Sequence, residues 1–179
     1  MTFESDAAGT AVYGVVGYNT DATATVVTIA SVVGLPANGA STKAAKVATV
    51  NWDTIPKFLV TLPQGKTLAN YQITVDAYFP RTTLGVTNDD NYYKEFMLFA
   101  GTAITDAAKP DTYPTYYQSK ISTIYNDVDV WKTFTFTVNP AKAAMLTGTI
   151  EIGIGINRPA VGTNNNAYYL DNITLVALP

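Results

Sequence analysis

Asn166-Ala-Tyr-Tyr-Leu-Asp-Asn-Ile-Thr-Leu-Val-Ala-Leu178 sets one carboxylate, Asp171, inside a run of aromatic, β-branched and aliphatic residues. Such a run reads as a β-strand. A carboxylate held among apolar neighbours requires hydrogen-bond donors or a cation, because burying an unpaired charge is costly. The segment expected to meet it is the other chain end, Thr2-Phe3-Glu4-Ser5-Asp6. The two ends are therefore predicted to lie together, with a shared metal as one way of satisfying both acids.

The same signature recurs outward from this stretch. Period-2 alternation of β-branched and aromatic residues, punctuated by turn residues, predicts strands near 2–5, 11–16, 24–31, 45–52, 57–62, 70–79, 92–100, 115–122, 131–138, 147–157 and 167–178. Pro140 to Met145 suits a single helical turn, since Pro fits the first helical position and Ala-Lys-Ala-Ala favours helix. Many short strands without a long helix predict an all-β protein, a two-sheet antiparallel β-sandwich or jelly roll. A chain of 179 residues suits one domain spanning 1–179.

Composition narrows the function. Apolar residues make up 47% and charged residues only 14%, which leaves Thr, Asn, Ser and Tyr to cover the surface and favours neutral polar ligands. A net charge of −3 with scattered basic residues argues against nucleic acid as a partner. With no Cys and no His, disulfides, thiolate metal sites, a Cys nucleophile and a Ser-His-Asp triad are excluded. No apolar run approaches the ~20 residues of a membrane span, so no membrane partner is expected. Met1-Thr2-Phe3-Glu4 opens without a basic segment followed by a hydrophobic one, as expected of a module excised from a longer protein.

Alternation also sorts faces. Ile150, Ile152, Ile154 and Ile156 point one way, while Thr149, Glu151, Gly153, Gly155 and Asn157 point the other. Glycines inside a strand mark a close approach: a flat sugar ring between Glu151 and Asn157, a covering loop, or sheet curvature. Trp131 heads a polar face with Thr133, Thr135 and Thr137, and Tyr78 lies opposite Ile73, Val75 and Ala77 on its own strand. An aromatic face packs on the C–H face of a pyranose, and polar side chains satisfy its hydroxyls. The candidate sugar-binding residues are Trp52, Tyr78, Trp131, Glu151, Asn157 and Arg158, with Tyr92 and Tyr93 in reserve. Tyr113, Tyr116 and Tyr117, in the long connection from Ala100 to Tyr117, form either a loop platform or loop packing.

Phe3-Glu4 near the start, Leu62-Pro63-Gln64-Gly65-Lys66-Thr67-Leu68 followed by Tyr71 to Phe79 in the middle, and Tyr168-Tyr169-Leu170-Asp171-Asn172-Ile173-Thr174-Leu175 at the end resemble carbohydrate-binding modules of the β-sandwich type. The likeness is to families 4 and 22, as carried by or inserted in bacterial family 10 xylanases. It implies a non-catalytic module that binds plant cell-wall polysaccharide, xylan first among them, and targets a covalently attached glycoside hydrolase. It further implies a secreted, cell-surface or periplasmic location, and a structural Ca²⁺ held by Glu4 and Asp171, since oxygen ligands suit that ion. The alternative for both acids is hydrogen bonding to backbone amides or pairing with Lys43 or Lys46. A structural spacer or adhesion domain is the second reading. A small lyase or hydrolase is the third, and glycoside hydrolysis would need two carboxylates about 5 to 9.5 Å apart. Its candidates, Asp76, Glu95, Asp127, Asp129 and Glu151, carry no local catalytic motif.

Overall fold

A computed structural model describes residues 1–17, 23–49, 54–81, 96–104, 117–121, 128–138, 140–156 and 166–179. Ten strands are described: β1 (Gly14–Gly17), β2 (Thr23–Thr28), β3 (Lys43–Thr49), β4 (Thr54–Thr61), β5 (Tyr71–Tyr78), β6 (Phe96–Gly101), β7 (Tyr117–Ile121), β8 (Trp131–Phe136), β9 (Thr149–Ile156) and β10 (Asn166–Ala177). They form two five-stranded antiparallel sheets, one in the order β2-β3-β10-β5-β8 and the other β1-β4-β9-β6-β7. The predicted all-β sandwich is the observed architecture. The predicted helical turn forms as α1 (Pro140–Ala143). Among the described residues no helix is long and apolar enough to cross a membrane.

The core lies between the sheets and takes the inward half of each alternating strand. Ile73, Val75 and Ala77 of β5, Phe134 and Phe136 of β8, and Tyr168 and Leu170 of β10 face Phe58 of β4, Phe96 and Leu98 of β6, and Ile150, Ile152, Ile154 and Ile156 of β9. Burying each such side chain contributes about 1.5–3 kcal/mol. Phe96 centres an aromatic cluster, with ring centroids 5.1 Å from Phe79, 4.9 Å from Phe134 and 5.2 Å from Phe136.

Residues 2–5 do not form the predicted strand. The chain turns there, with the Asp6 N–H donating to the Phe3 carbonyl at 3.0 Å, and Phe3 drops its ring into the core beside Phe58. Period 2 in a four-residue segment does not distinguish a strand from a turn that buries one ring. The strand predicted over 24–31 stops at Thr28, where Ile29–Ser31 tightens into a 3-10 turn.

The chain ends meet as expected, but through Met1: among the described residues, 2–6 give Asp171 no hydrogen bond, and its donors come from Asn38, Ser41 and Asn172. The Ile173 N–H donates to the Met1 carbonyl at 2.9 Å, and the Met1 ammonium donates to the Ile173 carbonyl. Beside this contact β10 bulges between Asp171 and Thr174, with Asn172 at φ 47°, a left-handed conformation in which Asn is among the tolerated residues.

Candidate functional site

The outer face of the β2-β3-β10-β5-β8 sheet is ordered in rows that the strand register sets. Tyr169, Tyr78 and Trp131 stand side by side on β10, β5 and β8. Two residues along each strand lie Asp171, Asp76 and Thr133, and beyond the bulge Thr174, Thr74 and Thr135. Neighbouring strands are about 4.8 Å apart, so each row is a nearly flat three-residue array.

The aromatic row is partly roofed. Residues 29–42 leave β2, cross this face and return into β3, and Ile29, Leu35 and Ala44 pack with Tyr78 and Tyr169. The Tyr78 and Trp131 rings lie 5.7 Å apart, and those of Tyr78 and Tyr169 lie 6.2 Å apart. Trp131 donates its Nε1–H to the Pro36 carbonyl at 2.8 Å, and Tyr78 donates its hydroxyl to the Gly34 carbonyl at 3.4 Å. Tyr78 is buried, and its phenol is pushed up first by burial and then by Asp129. Trp131 stays half-exposed, heading a file of exposed threonines, Thr133 and Thr135, on edge strand β8.

Asp171 is fully buried in the acidic row. It accepts from Asn38 Nδ2 at 3.0 Å, from its neighbour's backbone, the Asn172 N–H, at 2.7 Å, and from the Ser41 side chain. Asp76 accepts from Asn172 Nδ2 at 2.8 Å, Asn38 Nδ2 at 3.2 Å and the Thr133 hydroxyl at 2.5 Å. Burial pushes the Asp171 carboxyl up from its ordinary 3.8, and the adjacent Asp76 adds to the rise against its donors. Glu4 lies by the same segment, accepting from the Thr42 and Lys43 amides at 2.9 and 3.0 Å and from the Thr42 hydroxyl. The Thr42 hydroxyl, then those amides, hold its carboxyl below the ordinary 4.5. Residues 38–43 thus serve both acids, each through N–H and O–H donors. Among the described residues no group of three or more acidic side chains is placed to hold a metal. A Ca²⁺ ion would require these donors to turn away.

The opposite outer face carries Glu151. It is buried, ion-paired with Lys57 at 3.1 Å, and accepts the Ile104 N–H at 2.6 Å. Lys57 also donates to the Ile104 carbonyl at 3.2 Å, so one ion pair holds both backbone groups of Ile104. The Ile104 side chain is buried with Ile55, Met97 and Phe99 over Gly153. A Cβ added at Gly153 would lie 2.8 Å from Ile55 Cγ2, 3.4 Å from Ile104 Cδ1 and 3.5 Å from Phe99 Cβ. Close side-chain packing under a returning segment accounts for a glycine at this position. Tyr13 caps the other side of the pair, its hydroxyl donating to Glu151 at 3.3 Å and its ring centroid 5.7 Å from Lys57 Nζ.

The sequence-predicted residues therefore divide. Tyr78 and Trp131 come together on one sheet, Glu151 lies on the other, and Trp52, Asn157, Arg158, Tyr92, Tyr93, Tyr113 and Tyr116 fall outside the described residues. Tyr117 begins β7. Of the catalytic candidates, Glu95 and Asp127 also fall outside, Asp129 pairs with Arg81 at 3.3 Å, and Asp76 lies in the hydrogen-bonded acidic row. The Lys57–Glu151 pair and the Asn38 bridge were not read from sequence. A lysine between outward Ile55 and Leu59 was the available signal for the first.

No family model matches the chain, and no curated protein matches it. Solved structures do. One is from a study titled for the promiscuous specificity of carbohydrate-binding modules from the β-sandwich superfamily (TM-score 0.59, 14% identity, 98% of this chain and 60% of that one). Another is the arabinose-bound α-L-arabinofuranosidase MgGH51 (TM-score 0.60, 10% identity, 97% of this chain and 25% of that one). A third is the C-terminal family 22 carbohydrate-binding module of Clostridium thermocellum Xyn10B (TM-score 0.50, 10% identity, 98% and 91%). The chain spans 60% and 25% of the length of the first two. At these identities the likeness is one of fold, that of a β-sandwich.

Proposed function

We propose that this β-sandwich is a non-catalytic module that binds plant cell-wall polysaccharide, xylan first, and keeps an attached glycoside hydrolase on its substrate. The observation that carries the reading is the outer face of the β2-β3-β10-β5-β8 sheet. There a half-exposed indole, Trp131, is pinned by Pro36 and Tyr78 and heads the hydroxyls of Thr133, Thr135 and Thr74, with the Asp76 carboxylate hydrogen-bonded to Thr133 among them. An anchored aromatic edge with hydroxyls beside it offers apolar contact to a sugar ring and hydrogen bonds to its hydroxyls at little ordering cost. The fold likeness to carbohydrate-binding modules supports the same reading. Tethering turns each encounter of the hydrolase with its polymer into an intramolecular event, so a weak site suffices.

Binding is tested by affinity electrophoresis on xylan, mixed-linkage glucan and mannan. Retardation that Trp131→Ala removes supports the reading, and unchanged mobility on every glycan returns the chain to a structural spacer. Targeting is tested by joining the module to a hydrolase and comparing hydrolysis of insoluble xylan with hydrolysis of a soluble oligosaccharide. A structural Ca²⁺ at Glu4 and Asp171 is a separate proposal. It requires that Ca²⁺ raise the melting temperature of the wild type and leave that of Asp171→Ala unmoved.

A further inference from the structure

A cavity of ≈ 290 Å³ opens at the far edge of the sandwich, where the N-terminal segment crosses from β2 to β4. Its floor is the buried trio Phe3, Val26 and Phe58, with the two phenyl rings 6.2 Å apart. Its rim carries Asp6, Thr10 and Tyr13. Tyr13 is 56% exposed, yet its ring is held by the Glu151 and Lys57 contacts described above. The Asp6 carboxylate and the Thr10 hydroxyl have no hydrogen-bond partner among the described residues. The hydrogen bonds of Asp6 and Thr10 run through their backbones, to Phe3, Lys43, Ala7 and Val26.

The geometry points to a second carbohydrate site in this cavity, one that takes a single neutral pyranose residue. The inference rests on the polysaccharide-binding reading and adds a site to it. Ligand pockets run from about 300 to 1,000 Å³, so this one lies at the lower limit and suits one ring rather than an oligomer. A fixed aromatic wall, an apolar floor, and a carboxylate and a hydroxyl unpartnered among the described residues match a ring with one C–H face and several hydroxyl donors. A sugar hydroxyl donating to Asp6 would make a charge-assisted hydrogen bond without displacing any internal one.

The cavity would sit between the sheets at the β2 edge, with Phe58 and Leu59 of β4 in its lining, and Trp131 on the outer face at the β8 edge. Strands β2 and β8 are four strand spacings apart, roughly 19 Å at about 4.8 Å each. A single polysaccharide chain, or two neighbouring chains, could engage both, and the second contact would then form at high effective concentration.

Isothermal titration with xylotriose, cellotriose and mannotriose, on folded wild type and variants checked by melting, tests this. Two equivalents of one trisaccharide should bind the wild type. Asp6→Ala, which removes that carboxylate, and Ala11→Trp, which fills the cavity, should each leave one, as should Trp131→Ala. On the polymer, losing either site should lower apparent affinity about 10²-fold. A single equivalent abolished by Trp131→Ala and untouched by both cavity variants overturns the second site and leaves the functional reading standing. A single equivalent lost only in the cavity variants keeps the pocket and removes the Trp131 platform. No heat with any trisaccharide overturns both.

Discussion

Gly153 gives the sharpest test of the packing on the β1-β4-β9-β6-β7 sheet. Replacing it by Ala places a Cβ 2.8 Å from Ile55 Cγ2, a methyl on a branched Cβ that cannot swing away. Ile55 is fully buried, so relief must come from moving its backbone or its rotamer. Overpacking of this kind costs about 1–3 kcal/mol. Removing a strand glycine returns about 0.5–1 kcal/mol of conformational entropy. The expected net loss is up to about 2.5 kcal/mol, which at roughly 2–4 °C per kcal/mol for a chain of this size lowers the melting temperature by up to about 10 °C. Ile55→Ala removes the clashing methyl at its own cost of about 2–5 kcal/mol, and Gly153→Ala in that background should then be neutral or stabilising. Urea unfolding of the four proteins closes the cycle, and a coupling energy of about 1–3 kcal/mol is expected. If Gly153→Ala costs the same in both backgrounds, or stabilises the wild type, the contact argued here does not exist.

Glu151→Ala leaves the Ile104 N–H without its acceptor and Lys57 with only the Ile104 carbonyl, and losing a partner of this part-buried pair should cost about 1–3 kcal/mol. Glu151→Gln keeps an acceptor for the amide and should lose less, as denaturant midpoints will report. For Asp171 the folded pKa is raised, so its contribution to stability is full below 3.8 and is lost as pH rises through the folded value. Melting followed from acid to neutral pH should show that loss in the wild type and not in Asp171→Asn; identical profiles would exclude it. Glu4 acts in the opposite sense, its contribution being present above 4.5 and lost as pH falls through the lowered folded value, and Glu4→Gln should flatten that limb.

Much of the scaffold was legible because alternation reports a face directly. The Ile150 to Ile156 register, the split along Trp131 to Phe136 and the outward placing of Asp76 and Tyr78 all follow from period 2, and each holds in the folded chain. The chain ends do pair, through Met1 and Ile173, but not for the reason read from sequence: Asp171 takes its donors from Asn38, Ser41 and Asn172 rather than from residues 2–6. What alternation cannot convey is which outer face a covering segment crosses. Tyr78 is outward yet buried because residues 29–42 return over it, and Glu151 is outward yet buried because Ile104 does the same on the other sheet. Both covers depend on contacts between residues 44 to 95 positions apart, such as Tyr78 with Gly34 and Trp131 with Pro36, for which local patterning has no signal. The turn at residues 2–5 escaped because one buried ring, Phe3, gives the same short pattern as a strand.

The polysaccharide reading stands or falls on one gel. Wild type and Trp131→Ala are run side by side through xylan, mixed-linkage glucan, mannan and a polymer-free control. Retardation of the wild type by xylan, with mobility restored in Trp131→Ala, is the expected result. A wild type that migrates through all three glycans as it does through the control contradicts polysaccharide binding outright.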